Sequence, residues 1–348
     1  MPARLSRGRA PRVLVTGVGG APGFDLARSL ARLGCHVIAV DADPLAAGLH
    51  LPGVSARVAA RAHDSGYPQS MLAICDSLRP DVLMSTVEQE LNALIAMRAP
   101  LADRGVQTWL PSPAAVEACI DKAVFARVLA HAGVPSPATF LPEHLDKVPP
   151  GPLVVKPRFG QGGKDVYRCT TRRQAQMLCE LVDRPIVQPR LVGWEFTADC
   201  LVDHDHRASV ILRRRLLVKG GLSMVSETFD DREVEARVIE ALAATGIVGA
   251  CCVQGFCCPS DTSQPRVVIT EANARVAGGF PLAEAAGADL VGQTLNAHLG
   301  RPVDHGRLTY QPGVRLTKYV ETLTCRTSEP AHLDMRNIRT ARPGGGVQ

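Results

Sequence analysis

Val267-Val268-Ile269-Thr270-Glu271-Ala272-Asn273-Ala274-Arg275 reads as an apolar strand that turns polar at its end. Side chains alternate along a strand, so Glu271 and Asn273 leave from one face, with Arg275 following on that side if the strand continues. A carboxylate beside an amide carbonyl offers hard oxygen ligands to Mg²⁺, which takes few protein ligands and completes its shell with phosphates and water. Gln254, on the preceding strand of a hairpin formed by residues 249–258 and 266–273, adds a third oxygen. A solvent-facing polar edge is the competing account. These groups, however, follow a fully apolar run and precede Ala277-Gly278-Gly279, which favours the metal site.

Upstream, Arg158-Phe159-Gly160-Gln161-Gly162-Gly163-Lys164 lies between two expected strands, 153–156 and 165–170. It fails as a Walker loop, because the leading glycine falls on Arg158 and Asp165 replaces the Ser or Thr that would meet magnesium. A flap that lays backbone N–H groups on phosphates fits it, and an ordinary surface hairpin fits it equally. Lysine usage favours the flap. The chain has 33 Arg and six Lys, so Arg is its default cation, yet Lys122, Lys156 and Lys164 gather around this loop. A compact ammonium suits phosphate oxygens.

The region before it alternates strand and helix signals: strands at 12–16, 36–40, 82–86 and 107–110, with a helix at 24–33 closed by Gly34. Repeated β-α-β implies a parallel doubly wound sheet. Gly17-Val18-Gly19-Gly20-Ala21-Pro22-Gly23, with Asp41 after the next strand, has the context of a dinucleotide fingerprint. Its third glycine would fall on Pro22, so a tight strand-to-helix turn is the better reading. Beyond Pro111 and Pro113 the character becomes α+β with antiparallel pairing. A helix runs from the N-cap Asp121 to Gly133, another opens with the capping box Thr171 to Gln174, and a third ends at Gly246.

Composition excludes several classes. Hydrophobic residues at 46% and charged residues at 21% describe a globular chain, not a disordered one. Arg4, Arg7, Arg9 and Arg12 supply four of the five net positive charges, leaving no nucleic-acid footprint elsewhere. No apolar run approaches the roughly 18 residues of a membrane span, and no continuous apolar core marks a secretory signal. Eleven Cys without a C-x-x-C pair point to a reducing, cytoplasmic setting. The Cys251-Cys252 and Cys257-Cys258 doublets fit buried packing better than zinc, since strand neighbours face opposite sides.

On these motifs and their order the chain resembles the ATP-grasp superfamily, in particular the branch similar to the carbamoyl-phosphate synthetase large chain and related carboxylate–amine ligases. The resemblance implies an N-terminal doubly wound (pre-ATP-grasp) domain followed by a two-subdomain ATP-grasp fold. The implied division is a basic tail at 1–11, the doubly wound domain at 12–112, a small subdomain at 113–190, a large subdomain with the metal site at 191–322, and a loose tail at 323–348. Carried over residue by residue, Lys122 and Lys156 match nucleotide cations and Gly162 and Gly163 the flap. The stretch Gln188 to Glu195 matches the hinge, with Gln188 and Arg190 at the adenine and Glu195 on the ribose. Gln254, Glu271 and Asn273 match the ligands of Mg²⁺ (or Mn²⁺), and Arg275 the arginine at the transferred phosphoryl group.

Arg215 and Lys219 resemble a basic strand and loop reaching the reacting centre, with a solvated basic face an equal account. The family usually has Pro where this chain has Ala274, which argues against carbamoyl phosphate synthesis itself, as does a length of about one module. The implied chemistry is activation of a small-molecule carboxylate by ATP as an acyl phosphate and its capture by an amine. The partners are those two substrates, with a homodimer allowed. Glu88, in Thr86-Val87-Glu88-Gln89-Glu90, would recognise a substrate ammonium or act as base, unless it merely favours a helix N-terminus. The rivals are an NAD(P)-dependent reductase built on Gly17 to Asp41 and a non-catalytic ATP-binding module.

Overall fold

The computed structural model describes residues 9–160, 162–259 and 264–324, so Arg4, Arg7 and most of the expected C-terminal tail lie outside the described residues. The N-terminal unit runs β1 (Arg12–Thr16), α1 (Ala21–Arg32), β2 (His36–Asp41), β3 (Ser55–Val58), α2 (Tyr67–Leu78), β4 (Val82–Ser85), α3 (Glu88–Ala96) and α4 (Arg98–Asp103). Its strands are all parallel, in the order β3-β2-β1-β4. Alternation divides the burial in β1. Val13 and Val15 face α1 and helices from the end of the chain, while Leu14 faces α2 and α4, as expected of a parallel sheet covered on both sides.

The strand expected at 107–110 does not form. Gln107 alone makes a parallel bridge to Val82. Beyond it, the Arg98 guanidinium donates to the carbonyls of Leu110 and Pro111, and Trp109 turns its ring against His204 and His298.

The first glycine loop is a tight turn. Gly17 has φ +71°, and a Cβ on Gly23 would lie 2.2 Å from the Gly17 carbonyl oxygen. The Asp41 carboxylate accepts from Gly19 N–H at 2.7 Å and from Asp43 N–H at 2.9 Å, so this acid is engaged in holding the loop.

Two helices follow, α5 (Pro113–Ile120) and α6 (Lys122–His131), capped by Ser112 and Asp121. The expected division grouped 113–131 with the small subdomain. Their buried side chains, among them Val116, Phe125 and Leu129, instead pack against the large sheet. The small sheet consists of β5 (Leu153–Pro157), β6 (Tyr167–Cys169) and β7 (Pro185–Pro189), ordered β6-β5-β7 and antiparallel, with α7 (Arg172–Leu181) on one face. Thr171 and Gln174 form the reciprocal capping box of α7.

The large sheet is built from β8 (Trp194–Val202), β9 (Ala208–Lys219), β10 (Leu222–Thr228), β11 (Gly249–Cys257), β12 (Val267–Asn273) and β13 (Arg315–Thr317), ordered β12-β11-β8-β9-β10-β13 with antiparallel neighbours. Its helices are α8 (Arg232–Thr245), α9 (Pro281–Ala285) and α10 (Leu290–His298). One face packs Phe196, Ala198, Leu212, Val253 and Ile269 against α5, α6 and α8. Leu201 and Ile211, on the other face, join the core shared with α1, β1 and α10, so the N-terminal sheet and the large sheet meet through one apolar layer. Among the described residues no helix is long and apolar enough to cross a membrane, and no cluster of three or more His, Cys, Asp or Glu could hold a metal.

Candidate active site

Strand alternation places Glu195, Thr197 and Asp199 of β8 on the face opposite Phe196 and Ala198. Register aligns Thr197 with Arg213 of β9 and with Gln254 of β11, and Gln254 with Glu271 of β12. Four of the residues singled out from the sequence come together here. Asn273 Nδ2 donates to Glu271 Oε1 at 2.9 Å, and Arg275 Nη2 donates to Asn273 Oδ1 at 3.3 Å. Gln254 stands directly across from Glu271, where the pairing of β11 and β12 shifts at a bulge. One carboxylate and two amide oxygens on adjoining strands form a hard donor set of the size Mg²⁺ uses beside phosphates, so the residues present fit that ion.

Between the two antiparallel sheets lies a cavity of about 960 Å³, a volume suited to a nucleotide. Val154 and Lys156 line it from β5, while Leu153 and Val155 turn to the small core, again by alternation. Across the gap stand Glu195, Arg215, Gln254 and Glu271; Gly162, Gly163 and Lys164 cover one side, and Arg190 lines it from the hinge. Gln188 is buried and donates to Thr139 Oγ1 at 2.8 Å. Glu195 and Arg215 form an ion pair at 2.9 Å, and Arg215 also donates to Gln254 Oε1 at 3.3 Å. Burial lowers the Lys156 ammonium to a pKa of about 8; Glu271 opposes that shift and Lys122 adds to it.

The flap is anchored at its leading end. Lys122 Nζ donates to the Gly160 carbonyl at 2.6 Å and sits 3.8 Å from Glu271 Oε2. Arg158 grips Asp121 with a two-pronged fork at 2.7 and 2.6 Å, tying the flap to the N-cap of α6. On the far side, a Cβ on Gly221 would lie 2.0 Å from the Gly162 carbonyl oxygen, so only glycine lets the β9–β10 hairpin meet the flap this closely.

Four of the expected site residues, Lys219, Asn273, Arg275 and Glu88, do not line the cavity itself. Lys219 is exposed at the outer end of β9, outside the cavity lining. Asn273 is only 2% exposed and lies just behind Glu271. Glu88 is buried, and its Oε1 accepts the backbone N–H of Ala274 at 3.0 Å; burial raises its carboxyl pKa, with Arg275 opposing.

Two features, one in the site and one beside it, were not expected from the sequence. One is the Asp121–Arg158 anchor, where Asp121 was read only as a cap. The other is the pair of Arg213 and Asp199, joined at 2.7 Å and 3% and 1% exposed, beneath the loop that carries Gly279. A charged residue inside the apolar run of β8 was the available signal.

The model of a family described as ATP-grasp in the biosynthetic pathway with Ter operon matches residues 182–322. The carbamoyl phosphate synthase large chain of Thermomicrobium roseum is 28% identical over 252 residues, 63% of this chain and 23% of that one. The chain spans about a quarter of the length of the curated relatives it matches. Among solved structures, the L-amino acid ligase from Bacillus licheniformis gives a TM-score of 0.67 at 18% identity, covering 88% of this chain and 78% of that one. N5-carboxyaminoimidazole synthetase from Staphylococcus aureus complexed with ADP gives 0.67 at 15%, covering 84% and 78%. At such identities the likeness to these two structures is one of fold.

Proposed function

We propose that this chain, whose residues 182–322 match an ATP-grasp family model, is an ATP-dependent ligase of that superfamily that activates a small-molecule carboxylate, an amino acid or related acid, and joins it to an amine. The observation that carries this reading is the opposition of Lys156 to Glu271 and Gln254 across a nucleotide-sized cavity beside a glycine flap. In this reading the hinge at Gln188 and Arg190 meets adenine and Glu195 the ribose. Lys122, Lys156, Gly162 and Gly163 meet the phosphates. Glu271, Gln254 and Asn273 would hold Mg²⁺ or Mn²⁺, which neutralises and orients the phosphates when bound.

A substrate carboxylate oxygen attacks the γ-phosphorus, the bond to ADP breaks, and an acyl phosphate forms. The amine then adds to the acyl carbon, loses a proton, and phosphate leaves. Arg275 and Arg215 offset the charge that develops on the transferred group, while Lys219, exposed outside the cavity, fits a solvated basic face. The closed flap keeps water from the acyl phosphate. Use of ATP and the unpaired thiols of the described cysteines fit a cytoplasmic protein. The reductase alternative is weakened because Asp41 already holds the Gly19 amide.

Incubation with ATP, Mg²⁺, pooled amino acids and related acids, and hydroxylamine is expected to yield a hydroxamate together with ADP. AMP in place of ADP would overturn the acyl phosphate chemistry. Tight nucleotide binding with no consumption on any acid would favour the non-catalytic module.

The lowered pKa of Lys156 predicts a pH dependence with a definite sign. ATP binds the ammonium form, so affinity is complete below a pH of about 8. Above that it falls by up to about tenfold per pH unit, until the bound-state pKa is reached. Isothermal titration from pH 6.5 to 9.5 should show this step, and Lys156→Gln should bind weakly without it. A flat wild-type profile would count against a phosphate contact at Lys156.

A further inference from the structure

β12 is the edge strand of the large sheet, paired only with β11, and its ladder ends where Asn273 meets Cys252. The next backbone N–H, that of Ala274, is buried beyond the ladder and requires an acceptor. That acceptor comes from the other unit of the protein: Glu88 Oε1, at 3.0 Å, across 186 residues of sequence. Glu88 opens α3, and two residues on, Glu90 anchors the same turn to the parallel sheet, accepting from Thr16 Oγ1 at 2.5 Å and Ser85 Oγ at 2.9 Å. α3 therefore grips β1 and β4 with one carboxylate and the end of β12 with another. Glu88 is 6% exposed, and its carboxylate is already engaged by that backbone N–H.

We propose that Glu88 is a positioning residue: by holding the peptide between Asn273 and Arg275 it aims those two side chains, one at the metal and one at the transferred phosphoryl group. The role rests on the ligase reading given above. Ala274 is a necessary partner, since proline there would have no N–H to donate.

The test compares Glu88→Ala, Glu88→Gln and Ala274→Pro in the full chain. Three quantities are measured: turnover, Mn²⁺ affinity by electron paramagnetic resonance in the presence of a non-hydrolysable ATP analogue, and analogue affinity without metal. Glu88→Gln keeps an oxygen acceptor and is expected within about threefold of wild type in turnover and Mn²⁺ affinity. Glu88→Ala should lose about 30-fold or more in kcat and about tenfold in Mn²⁺ affinity, with metal-free nucleotide affinity within twofold. Ala274→Pro should reproduce that pattern, and the double variant should be no worse than either single one. If Glu88→Ala does not fold, Glu88→Asp, one methylene short of Ala274, takes its place with the same expectation.

A Glu88→Gln enzyme as impaired as Glu88→Ala would mean that the charge itself is used, and would overturn the positioning role. Unchanged Mn²⁺ affinity in Glu88→Ala would do the same. Failure of the wild-type protein to bind Mn²⁺ with nucleotide would overturn the ligase reading and the positioning role together, an outcome distinguishable from the other two.

Discussion

Glu271→Ala is expected to slow ADP formation by at least about a hundredfold, equivalent to about 3 kcal/mol of barrier, while the protein stays folded. Glu271 is the one carboxylate in a proposed donor set otherwise made of the Gln254 and Asn273 amides, so its loss removes that set's formal negative charge. It also releases the amide of Asn273, held at 2.9 Å, and leaves Lys122 without the carboxylate 3.8 Å away. The side chain is 24% exposed and lies at a cavity wall, so truncation opens no void in a core. Thermal unfolding should shift by no more than a few degrees. Steady-state ADP release, measured at saturating Mg²⁺, decides the matter. Activity within threefold of wild type would remove the metal assignment and the chemistry built on it.

The largest effect on stability is expected at Asp199, away from the nucleotide. Asp199 and Arg213 are almost wholly buried and paired at 2.7 Å. Asp199→Ala would leave the guanidinium charged, dry and unpaired, which costs about 3–5 kcal/mol when one partner of a buried pair is removed. Unfolding should then begin on the order of 10 °C lower. Arg213 also lies against the Gly279 backbone, where an added Cβ would approach its guanidinium carbon to 2.6 Å, so the loop after Arg275 should loosen too. Replacing both partners with apolar residues of similar volume, Asp199→Leu with Arg213→Met, should restore most of the stability. Calorimetric scans of the single and double variants test this. A loss below about 1 kcal/mol in Asp199→Ala would show that Arg213 finds another partner or water.

The amino-acid sequence by itself determined whatever depends on local periodicity and capping. Alternation along residues 267–275 put Glu271 and Asn273 on one face, and in the structure they share a hydrogen bond. The Thr171–Gln174 box, the Asp121 cap and the left-handed stop at Gly246 follow from rules that act within a turn of the chain. Apolar strands alternating with helices specified the parallel N-terminal sheet. β10 went unread because Leu222–Thr228 mixes polar and apolar residues across two register shifts, and its strand conformation comes from the neighbours β9 and β13. Residues 107–110 had the composition of a strand, but only Gln107 bridges β4, and Trp109 packs instead against His204 and His298.

Tertiary structure alone decided which distant groups meet: Arg158 with Asp121, Arg213 with Asp199, Gly221 with Gly162, Glu88 with Ala274. A buried donor or charge must find a partner wherever the fold brings one. That requirement acts through space, over separations of 14 to 186 residues in the three hydrogen-bonded pairs, and leaves no periodic trace along the chain.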